Sequence, residues 1–480
     1  MDYKKQLSGI KTMLSKEQII DFWNDTALER AKWKRRNRFY YQEQERYFSF
    51  IIPPQSNVLE VGCGTGELLN AVRPSYGIGI DISPNMIEIA KKKYPHLKFF
   101  VQDVDNLDID EEFDYIIISD LIGDLSDVHK SFENLKKVCH KGTRIIISYY
   151  NYLWQPILKL GELFHMKIKQ PVQNWLTPYD VGNLLKLSDF DVIRYERKIL
   201  FPKKIPILNY LINRIIANLP VVNHLCLTFI VIARLRIIEN HDYSVSIIIP
   251  ARNEKGNIED AIIRTPKFGK SQEFIFVEGG SHDGTYEEIL RVQGKYKNFN
   301  IIVMKQSGKG KGNAVREGFE KGSGDILMIL DADLTVPPED LSKFYSALQK
   351  NRGEFINGCR LVYQMEKQSM RFLNLLANKF FSLFFTFILG QRLKDTLCGT
   401  KVLFKKDYEK IKANREYFGD FDPFGDFDLL FGASKLGLKI LDLPVRYKER
   451  KYGSTQIRRF AHGWLLLKMS LYGAKKIKFK

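Results

Sequence analysis

The sequence is poor in cysteine, and the few it has form no metal-binding pattern. They are odd in number, they are scattered, and no two make a C-x-x-C pair. This usage indicates neither a disulfide framework nor a zinc site, and it fits a reducing compartment. We therefore expect a cytoplasmic protein. The five cysteines are Cys63, Cys139, Cys226, Cys359 and Cys398.

Long apolar runs and internal repeats are also absent. The longest runs, Phe380–Leu389 and Leu225–Ala233, fall well short of the roughly 20 residues that a membrane-spanning helix needs. The first residues lack the apolar segment of a signal peptide. We expect a protein that is either soluble or bound peripherally at the inner face of the cell membrane.

Basic residues outnumber acidic ones by 74 to 56, which gives a net charge of +18. Such a balance favours nucleic acid, an anionic membrane or phosphate-rich small molecules as partners, and a solvated basic surface is the alternative. No nucleic-acid-binding module is visible, so we expect no nucleic acid partner. Lysines interleaved with aromatic residues in Lys468–Lys480 are typical of a segment at an anionic membrane surface. The apolar segment Phe372–Leu389 is either a core helix or a helix lying in that interface.

Two strand–glycine-loop–helix patterns begin at Val58–Gly66 and Val245–Glu254, and strand and helix patterns alternate after each. This alternation is typical of a mostly parallel α/β sheet. We predict two α/β domains, residues 1–238 and 239–480. The polar stretch Arg236–Asp242 joins them.

In the first domain an apolar strand ends in a glycine loop, NVLEVGCGTG at Asn57–Gly66. Glycines let the backbone approach a ligand closely, and the helix that follows directs its N–H groups at that ligand. Asp81 ends the next strand about twenty residues later, where an acid suits a ribose diol. Asp103 and Asp120 follow the third and fourth strands. A cofactor-free domain with a glycine turn and solvent-facing carboxylates is the alternative.

The loop E-x-G-C-G-T-G resembles the first motif of class I S-adenosylmethionine-dependent methyltransferases, which have a Rossmann-like fold. The resemblance implies S-adenosyl-L-methionine as cofactor, with the glycines along its methionine part. It places Asp81 at the ribose hydroxyls, Asp103 near the adenine amine and Asp120 near the amino-acid end. The implied cofactor-binding residues are Glu60, Gly62, Gly64, Gly66, Asp81, Asp103 and Asp120.

The sequence leaves the methyl acceptor open. Methyl transfer needs alignment and at most a base to take a proton. His129 and His165 are candidate bases, although a single histidine is more often structural. The aromatic side chains of Tyr149–Trp154 either stack on a sugar ring or belong to the core. We interpret residues 151–224, which are rich in proline, as a substrate-facing cap.

In the second domain three apolar strands each end in a polar loop, at Ser244–Glu254, Glu273–Thr285 and Gly324–Leu334. Asp331 and Asp333 come directly after the third strand. Carboxylates at such a place are costly unless they are paired or bind metal. Their oxygens suit Mg²⁺ or Mn²⁺, which in turn bind a diphosphate.

These elements resemble the family 2 glycosyltransferases of GT-A fold, and the dolichyl-phosphate-mannose-synthase-like branch most. The resemblance covers residues 244–470. It implies an inverting transfer from a nucleotide-diphosphate sugar to a glycan or lipid-phosphate acceptor, with Asp331 and Asp333 organising the metal. Glu278 departs from the aspartate that is usual at its position. The implied nucleotide-sugar-binding residues are Pro250, Asn253, Glu254, Glu278, Asp283, Lys311, Asp331, Arg450 and Arg459.

An acceptor hydroxyl needs a base, whereas an acceptor phosphate does not. Carboxylates after the metal motif are the candidates, and the alternative is that they cap helices or pair with basic side chains. These candidate catalytic residues are Asp426, Asp428 and Asp395. The resemblance also implies two arginines on the acceptor side, Arg360 and Arg371.

Together the two resemblances imply a bifunctional enzyme of cell-surface glycan biosynthesis that transfers a sugar and a methyl group. Three alternatives stay open. In the first, the N-terminal domain binds its cofactor without turnover and acts as a scaffold. In the second, the C-terminal domain transfers its sugar to a polyprenyl phosphate. The last alternative, which the basic charge suggests, is a nucleic-acid methyltransferase.

Overall fold

A computed structural model describes residues 15–171, 173–205, 208–238, 241–362, 372–415, 427–450, 452–453 and 459–479. For 372–377 and 459–463 it describes the backbone alone. Asp426, Arg371 and the side chain of Arg459 therefore lie outside the described residues. The chain divides into two units, the first ending at Arg236 and the second beginning at Ile237.

The first unit contains a seven-stranded sheet in the order β3-β2-β1-β4-β5-β7-β6. The first five strands are parallel, and β7 runs antiparallel to both β5 and β6. The chain order reverses between β1 and β4, where a crevice opens at the carboxyl ends of parallel strands. The strands are β1 (Asn57–Val61), β2 (Tyr76–Asp81), β3 (Lys98–Val101), β4 (Phe113–Ser119), β5 (Cys139–Tyr150), β6 (Phe190–Lys198) and β7 (Thr228–Leu235).

Helices flank this sheet because their apolar faces bury against its strands. The first three, which precede β1, come from the basic-aromatic N-terminal segment. The helices are α1 (Lys16–Ala27), α2 (Arg30–Arg36), α3 (Arg38–Ile51), α4 (Glu67–Ala71), α5 (Pro84–Lys93), α6 (Val128–Leu135), α7 (Gln155–Leu163) and α8 (Pro178–Leu187).

The second unit also contains a seven-stranded sheet, in the order β10-β9-β8-β11-β13-β12-β14. Strands β10, β9, β8 and β11 are parallel, and β13 is antiparallel to both of its neighbours. Here the order reverses between β8 and β11. The strands are β8 (Ser244–Ala251), β9 (Ser271–Glu278), β10 (Asn300–Lys305), β11 (Ile326–Ile329), β12 (Phe355–Cys359), β13 (Lys401–Phe404) and β14 (Ile440–Pro444). The predicted pair of α/β domains is thus confirmed.

Helices of the second unit cover both faces of its sheet, in two apolar clusters. Helix α13 contributes Phe385 and Ile388 to one cluster while leaving Leu383 74% exposed. No helix in the described parts of the chain has both the length and the hydropathy to cross a membrane. The helices are α9 (Ile258–Ile263), α10 (Thr285–Lys295), α11 (Lys311–Lys321), α12 (Leu341–Gln349), α13 (Phe372–Leu389), α14 (Lys405–Ala413), α15 (Phe427–Lys435) and α16 (Arg459–Gly473).

Candidate functional sites

The glycine loop of the first unit joins β1 to α4 and lies at the reversal of strand order. Gly62, Gly64 and Gly66 all have positive φ, at 71°, 51° and 81°. A Cβ on Gly62 would lie 2.8 Å from Leu121 Cδ2, so this position needs glycine for space as well as for conformation. Asp81 at the end of β2 holds the loop, because its Oδ2 accepts a hydrogen bond from the Gly64 N–H at 2.9 Å.

The loop borders a cavity of about 510 Å³ in the first unit. Of the predicted cofactor-binding residues, five line the cavity wall, and Glu60 and Gly66 do not. Glu60 is buried, accepts a hydrogen bond from the Leu69 N–H at 3.0 Å, and has its pKa raised to about 8 by burial. The five at the wall are Gly62, Gly64, Asp81, Asp103 and Asp120.

At one end of the cavity Asp103 forms an ion pair with Lys16 of α1. Beside it Gln102, which sequence reasoning missed, also lines the wall. Its Oε1 atom is buried, and among the described residues it accepts no hydrogen bond. A buried acceptor of this kind is costly unless a ligand donates to it. The adenine amine of S-adenosylmethionine is such a donor, so the wall fits the implied cofactor.

Asp120 marks another part of the wall, with φ of 54°. Its carboxylate accepts hydrogen bonds from Tyr40 Oη at 3.0 Å, Gln44 Nε2 at 3.2 Å and Tyr150 Oη at 3.5 Å. Burial raises the pKa of Asp120, and the hydrogen bonds from Tyr40 and Gln44 oppose that rise. Helix α3 therefore fixes the orientation of this carboxylate.

A further carboxylate in the wall, Asp124, was not foreseen from the sequence. Its Oδ1 accepts a hydrogen bond from Gln173 Nε2 at 2.8 Å, and burial raises its pKa to about 6. By contrast, the histidines singled out in the sequence, His129 and His165, are exposed and are not among the cavity residues. The aromatic side chains of Tyr149–Trp154 have different surroundings. Tyr149 is fully buried in the core, whereas Tyr150 and Trp154 line the cavity.

In the second unit, the loops after β8 and β9 are bonded to each other. The Asn253 N–H donates to Ser281 Oγ at 3.0 Å, and Asn253 Oδ1 accepts from the His282 N–H at 2.9 Å. Glu278 is buried at the end of β9, and its Oε1 accepts from the Ser281 N–H at 2.5 Å. Asp283 Oδ1 accepts from the N–H of Thr285, the first residue of α10, at 3.0 Å. Pro250 lies in β8 itself, so four predicted residues lie in or directly after β8 and β9.

The two aspartates after β11 reach the same edge. Asp331 Oδ1 lies 2.6 Å from Lys311 Nζ at the start of α11. Asp333 Oδ2 accepts from Arg450 Nη2 at 2.7 Å, and Arg450 Nη1 donates to Glu254 Oε1 at 2.6 Å. One guanidinium thus bridges the β8 loop and the aspartate pair. Burial raises the pKa of Glu254 to about 7, and the charge of Arg450 opposes that rise.

This edge carries the ligand chemistry of a hard cation. No three His, Cys, Asp or Glu side chains among the described residues gather into a metal cluster. Asp331 and Asp333 supply carboxylate oxygens, the donors that Mg²⁺ prefers, and Mg²⁺ normally takes its further ligands from substrate phosphates and water. The residues present therefore fit a metal that arrives with a diphosphate.

Gly399, just before β13, packs directly against Asp331 and Lys311. A Cβ at this position would lie 2.0 Å from Asp331 Oδ2 and 2.3 Å from Lys311 Nζ. We expect Gly399→Ala to displace Asp331 and to lower any activity that depends on it by about tenfold or more, because small misplacements of reacting groups are costly. Steady-state rates beside a thermal melt check this, with Gly294→Ala, whose Cβ would meet open space, as the matched control. Equal rates for the two variants would contradict it.

The candidate bases have separate surroundings. Asp395 is fully buried and accepts two hydrogen bonds from the Arg360 guanidinium, at 2.7 and 2.8 Å, and one from Asn378 Nδ2 at 3.1 Å. Burial raises its pKa, but Arg360 outweighs burial and holds it at about 2. Asp428 lies on α15, 3.5 Å from Arg415 Nε and 3.9 Å from Arg316 Nη1.

Comparisons with known families match both units. The methyltransferase domain family matches residues 33–195, and the glycosyl transferase family 2 matches residues 246–412. A dolichol-phosphate mannosyltransferase of Pyrococcus furiosus is 28% identical over 220 residues, 45% of this chain and 59% of the relative. One of Saccharomyces cerevisiae is 37% identical over 108 residues, 22% and 40% of the two chains. This chain thus spans well under two thirds of either relative.

The chain is also similar to a solved structure from Thermotoga maritima, a SAM-dependent methyltransferase described as a possible histamine N-methyltransferase. It is 17% identical, with a TM-score of 0.35, and the match covers 45% of this chain and 98% of that one.

Proposed function

Because the chain carries an S-adenosylmethionine-dependent methyltransferase domain followed by a family 2 glycosyltransferase domain, we propose that it is a bifunctional enzyme of surface-glycan biosynthesis. The second domain transfers a sugar from a nucleotide-diphosphate sugar, with inversion, to a lipid phosphate. The first domain methylates a glycan. The observation that carries the proposal is the convergence of Asp331, Asp333, Lys311, Arg450 and Glu254 at the carboxyl ends of β8 and β11.

The charges at this edge suit departure of a nucleoside diphosphate. Lys311 and Arg450 each pair with one of the two metal-motif aspartates. Cations placed where negative charge develops supply the largest part of this kind of catalysis. A bound Mg²⁺ or Mn²⁺ adds Lewis-acid stabilisation of the leaving group. The two cationic side chains would then move from the aspartates to the phosphates.

The names of the relatives and the surroundings of Asp395 support a lipid-phosphate acceptor. The relatives are named for transfer to dolichol phosphate. A phosphate acceptor needs no base, so Asp395 can stay locked in its ion pair and act through Arg360. We assign Arg360 to the acceptor side and Asp395 to holding it in place. Asp428 and Asp426 are the bases to test if the acceptor is instead a saccharide hydroxyl.

The test of the sugar-transfer proposal is an assay with radiolabelled nucleotide sugars, Mn²⁺ or Mg²⁺, and a polyprenyl phosphate. We expect label in the organic phase that depends on both the metal and the lipid phosphate. Label that passes only to a water-soluble saccharide would support the saccharide acceptor over the lipid. Absence of transfer with every uridine and guanosine diphosphate sugar would contradict the proposal.

For the first domain, we expect Asp81→Asn to weaken binding of S-adenosylmethionine by about 1.5–3 kcal/mol, because the variant loses a charged acceptor for the ribose hydroxyls. Isothermal titration calorimetry measures the change. The matched control is Asp108→Asn, an exposed aspartate of the same unit. Equal affinities for wild type and Asp81→Asn would reject the role of this carboxylate.

We also propose peripheral attachment of the second domain to anionic lipid. Helix α16 leaves Trp464 61% and Leu471 56% exposed, and lysines follow it at 475–478. We expect the protein to float with anionic liposomes at low salt and to be released as salt rises, since exposed charges are screened over about 8–10 Å at physiological ionic strength. Protein that stays at the bottom of a low-salt gradient would refute this attachment.

A further inference from the structure

Helix α7 of the first unit is apolar and exposed at the same time. Its sequence, QPILKLGEL, buries no residue. Leu163 at its end is 71% exposed, and Phe164 just beyond it is 67% exposed. Adjacent exposed apolar side chains of this size are rare on monomeric soluble proteins and mark a surface that binds a partner or a membrane.

The same helix forms the mouth of the methyl-transfer cavity. Four apolar side chains line the cavity while more than two fifths of their surface stays exposed. A side chain can line the cavity and also stay exposed to solvent only at the rim of the cavity. These four are Ile157 (53% exposed), Leu160 (54%), Phe164 (67%) and Met166 (44%). Whatever enters the cavity past α7 therefore crosses an apolar edge.

A second exposed apolar segment, residues 208–225, is anchored beside that edge. Lys203, which precedes this segment, and Leu227, which follows it, both line the cavity. Trp154 Nε1, one residue before α7, donates to the Leu225 carbonyl at 2.8 Å. We call α7 with residues 164–166 and 208–225 the apolar rim. The exposed large apolar side chains of its second segment are Leu208, Tyr210, Leu211, Ile215, Leu219, Val221 and Leu225.

Positive charge lies next to the apolar rim. Helix α2, RAKWKRR, has no buried residue; its Trp33 lines the cavity, and Lys32, Arg35 and Arg36 are exposed. Lys203, which precedes the second segment of the apolar rim, contacts the end of α2, because its Nζ donates to Asn37 Oδ1 at 2.8 Å. Surfaces that lie in the headgroup region of anionic bilayers combine lysine and arginine with tryptophan, tyrosine and leucine.

We propose that the apolar rim lies in an anionic bilayer and that the methyl acceptor is the glycan of a lipid-linked molecule that enters the cavity from that bilayer. This inference rests on the proposed methyltransferase activity. If the rim faced water, its apolar side chains would stay exposed to solvent and would make no hydrogen bonds to a polar glycan. A rim in the bilayer buries its leucines and places the cavity at headgroup depth, where a lipid-linked sugar is found.

The test uses the full chain and a site-specific probe, so that attachment through the other domain does not affect the result. All five native cysteines are buried. A nitrobenzoxadiazole label on Leu163→Cys therefore reports the rim, and the same label on Leu187→Cys reports an equally exposed leucine (63%) on α8, outside the rim. The vesicles are phosphatidylcholine with or without phosphatidylglycerol, and they carry a spin-labelled lipid quencher.

We expect blue-shifted emission and quenching at position 163 on anionic vesicles and neither change at position 187. In parallel, the methyl group of tritiated S-adenosylmethionine should enter the lipid extract of membranes. Leu163→Glu/Tyr210→Glu should lower that incorporation about tenfold or more while cofactor affinity stays unchanged. Emission at 163 that matches an aqueous label, or tritium confined to water-soluble glycan, would overturn the proposal. Failure of the wild type to bind S-adenosylmethionine would instead contradict the proposed methyltransferase activity.

Discussion

Replacement of Asp333 by alanine is expected to lower sugar transfer by roughly 10²–10³-fold and to leave S-adenosylmethionine binding unchanged. The variant removes a carboxylate oxygen of the proposed metal site. It also removes the contact between Asp333 Oδ2 and Arg450 Nη2, which lie 2.7 Å apart. Initial rates with a radiolabelled sugar donor measure the first effect, and calorimetry with the methyl donor measures the second.

The matched control for this variant is Asp260→Ala. Asp260 lies on α9 of the same unit, is 42% exposed, and pairs only loosely with Arg264 at 3.4 Å. Its loss should leave sugar transfer within a factor of about two, because exposed ion pairs contribute about 0–1 kcal/mol. Unchanged transfer in Asp333→Ala would remove this aspartate from the site. A parallel loss of methyl-donor binding would point to general unfolding.

The two sheets can be predicted from the sequence because apolar runs of strand length end abruptly in a polar or glycine loop. Val58–Val61 and Ile247–Ile249 are runs of this kind, and both become central, fully covered strands. The antiparallel parts are harder. The pairing of β7 with β5, and of β13 with β11, joins segments far apart in the chain, and neither segment carries a local pattern that names its neighbour.

The functional sites likewise contain some residues that can be recognised in the sequence and others that only the fold reveals. Asp331 and Asp333 can be recognised in the sequence because two carboxylates directly after a buried strand are costly unless they are paired or bind metal. Arg450 also follows the last strand in a recognisable basic loop. Its bridge to Glu254 spans 196 residues, and no spacing rule reveals such a contact. Gly399 gives no signal at all, since only the folded chain shows which carboxylate fills the space beside it.

Asp124 illustrates what burial adds to a sequence. In the chain it stands in the short segment LIGDLSD, which looks like an ordinary polar turn. In the fold Asp124 lines the cavity and accepts a hydrogen bond from Gln173, and burial raises the pKa of its carboxyl group to about 6. The histidines His129 and His165 are exposed and do not line the cavity. Position in the fold, more than residue type, selects the candidate base.

We therefore expect Asp124→Asn to lower methyl transfer by about 10²–10⁴-fold without a matching loss of cofactor affinity. Asp124 lines the cavity and would accept the proton that an acceptor hydroxyl loses as its oxygen bonds to the methyl carbon and the carbon–sulfur bond breaks. S-adenosylmethionine supplies that methyl group as a sulfonium, and the amide of the variant cannot take up the proton. Single-turnover rates with tritiated methyl donor give the loss, and calorimetry gives the affinity.

The pH profile separates a base from a residue that only shapes the cavity. With a pKa of about 6, Asp124 is ionised above that pH and protonated below it. For wild type, kcat/KM should therefore fall as pH drops through about 6 and stay level above it. Asp124→Asn should lose this acidic limb, whereas Asp108→Asn should keep it. A wild-type acidic limb that persists in Asp124→Asn would show that another group takes the proton, and Asp124 would then be a positioning residue of the cavity wall.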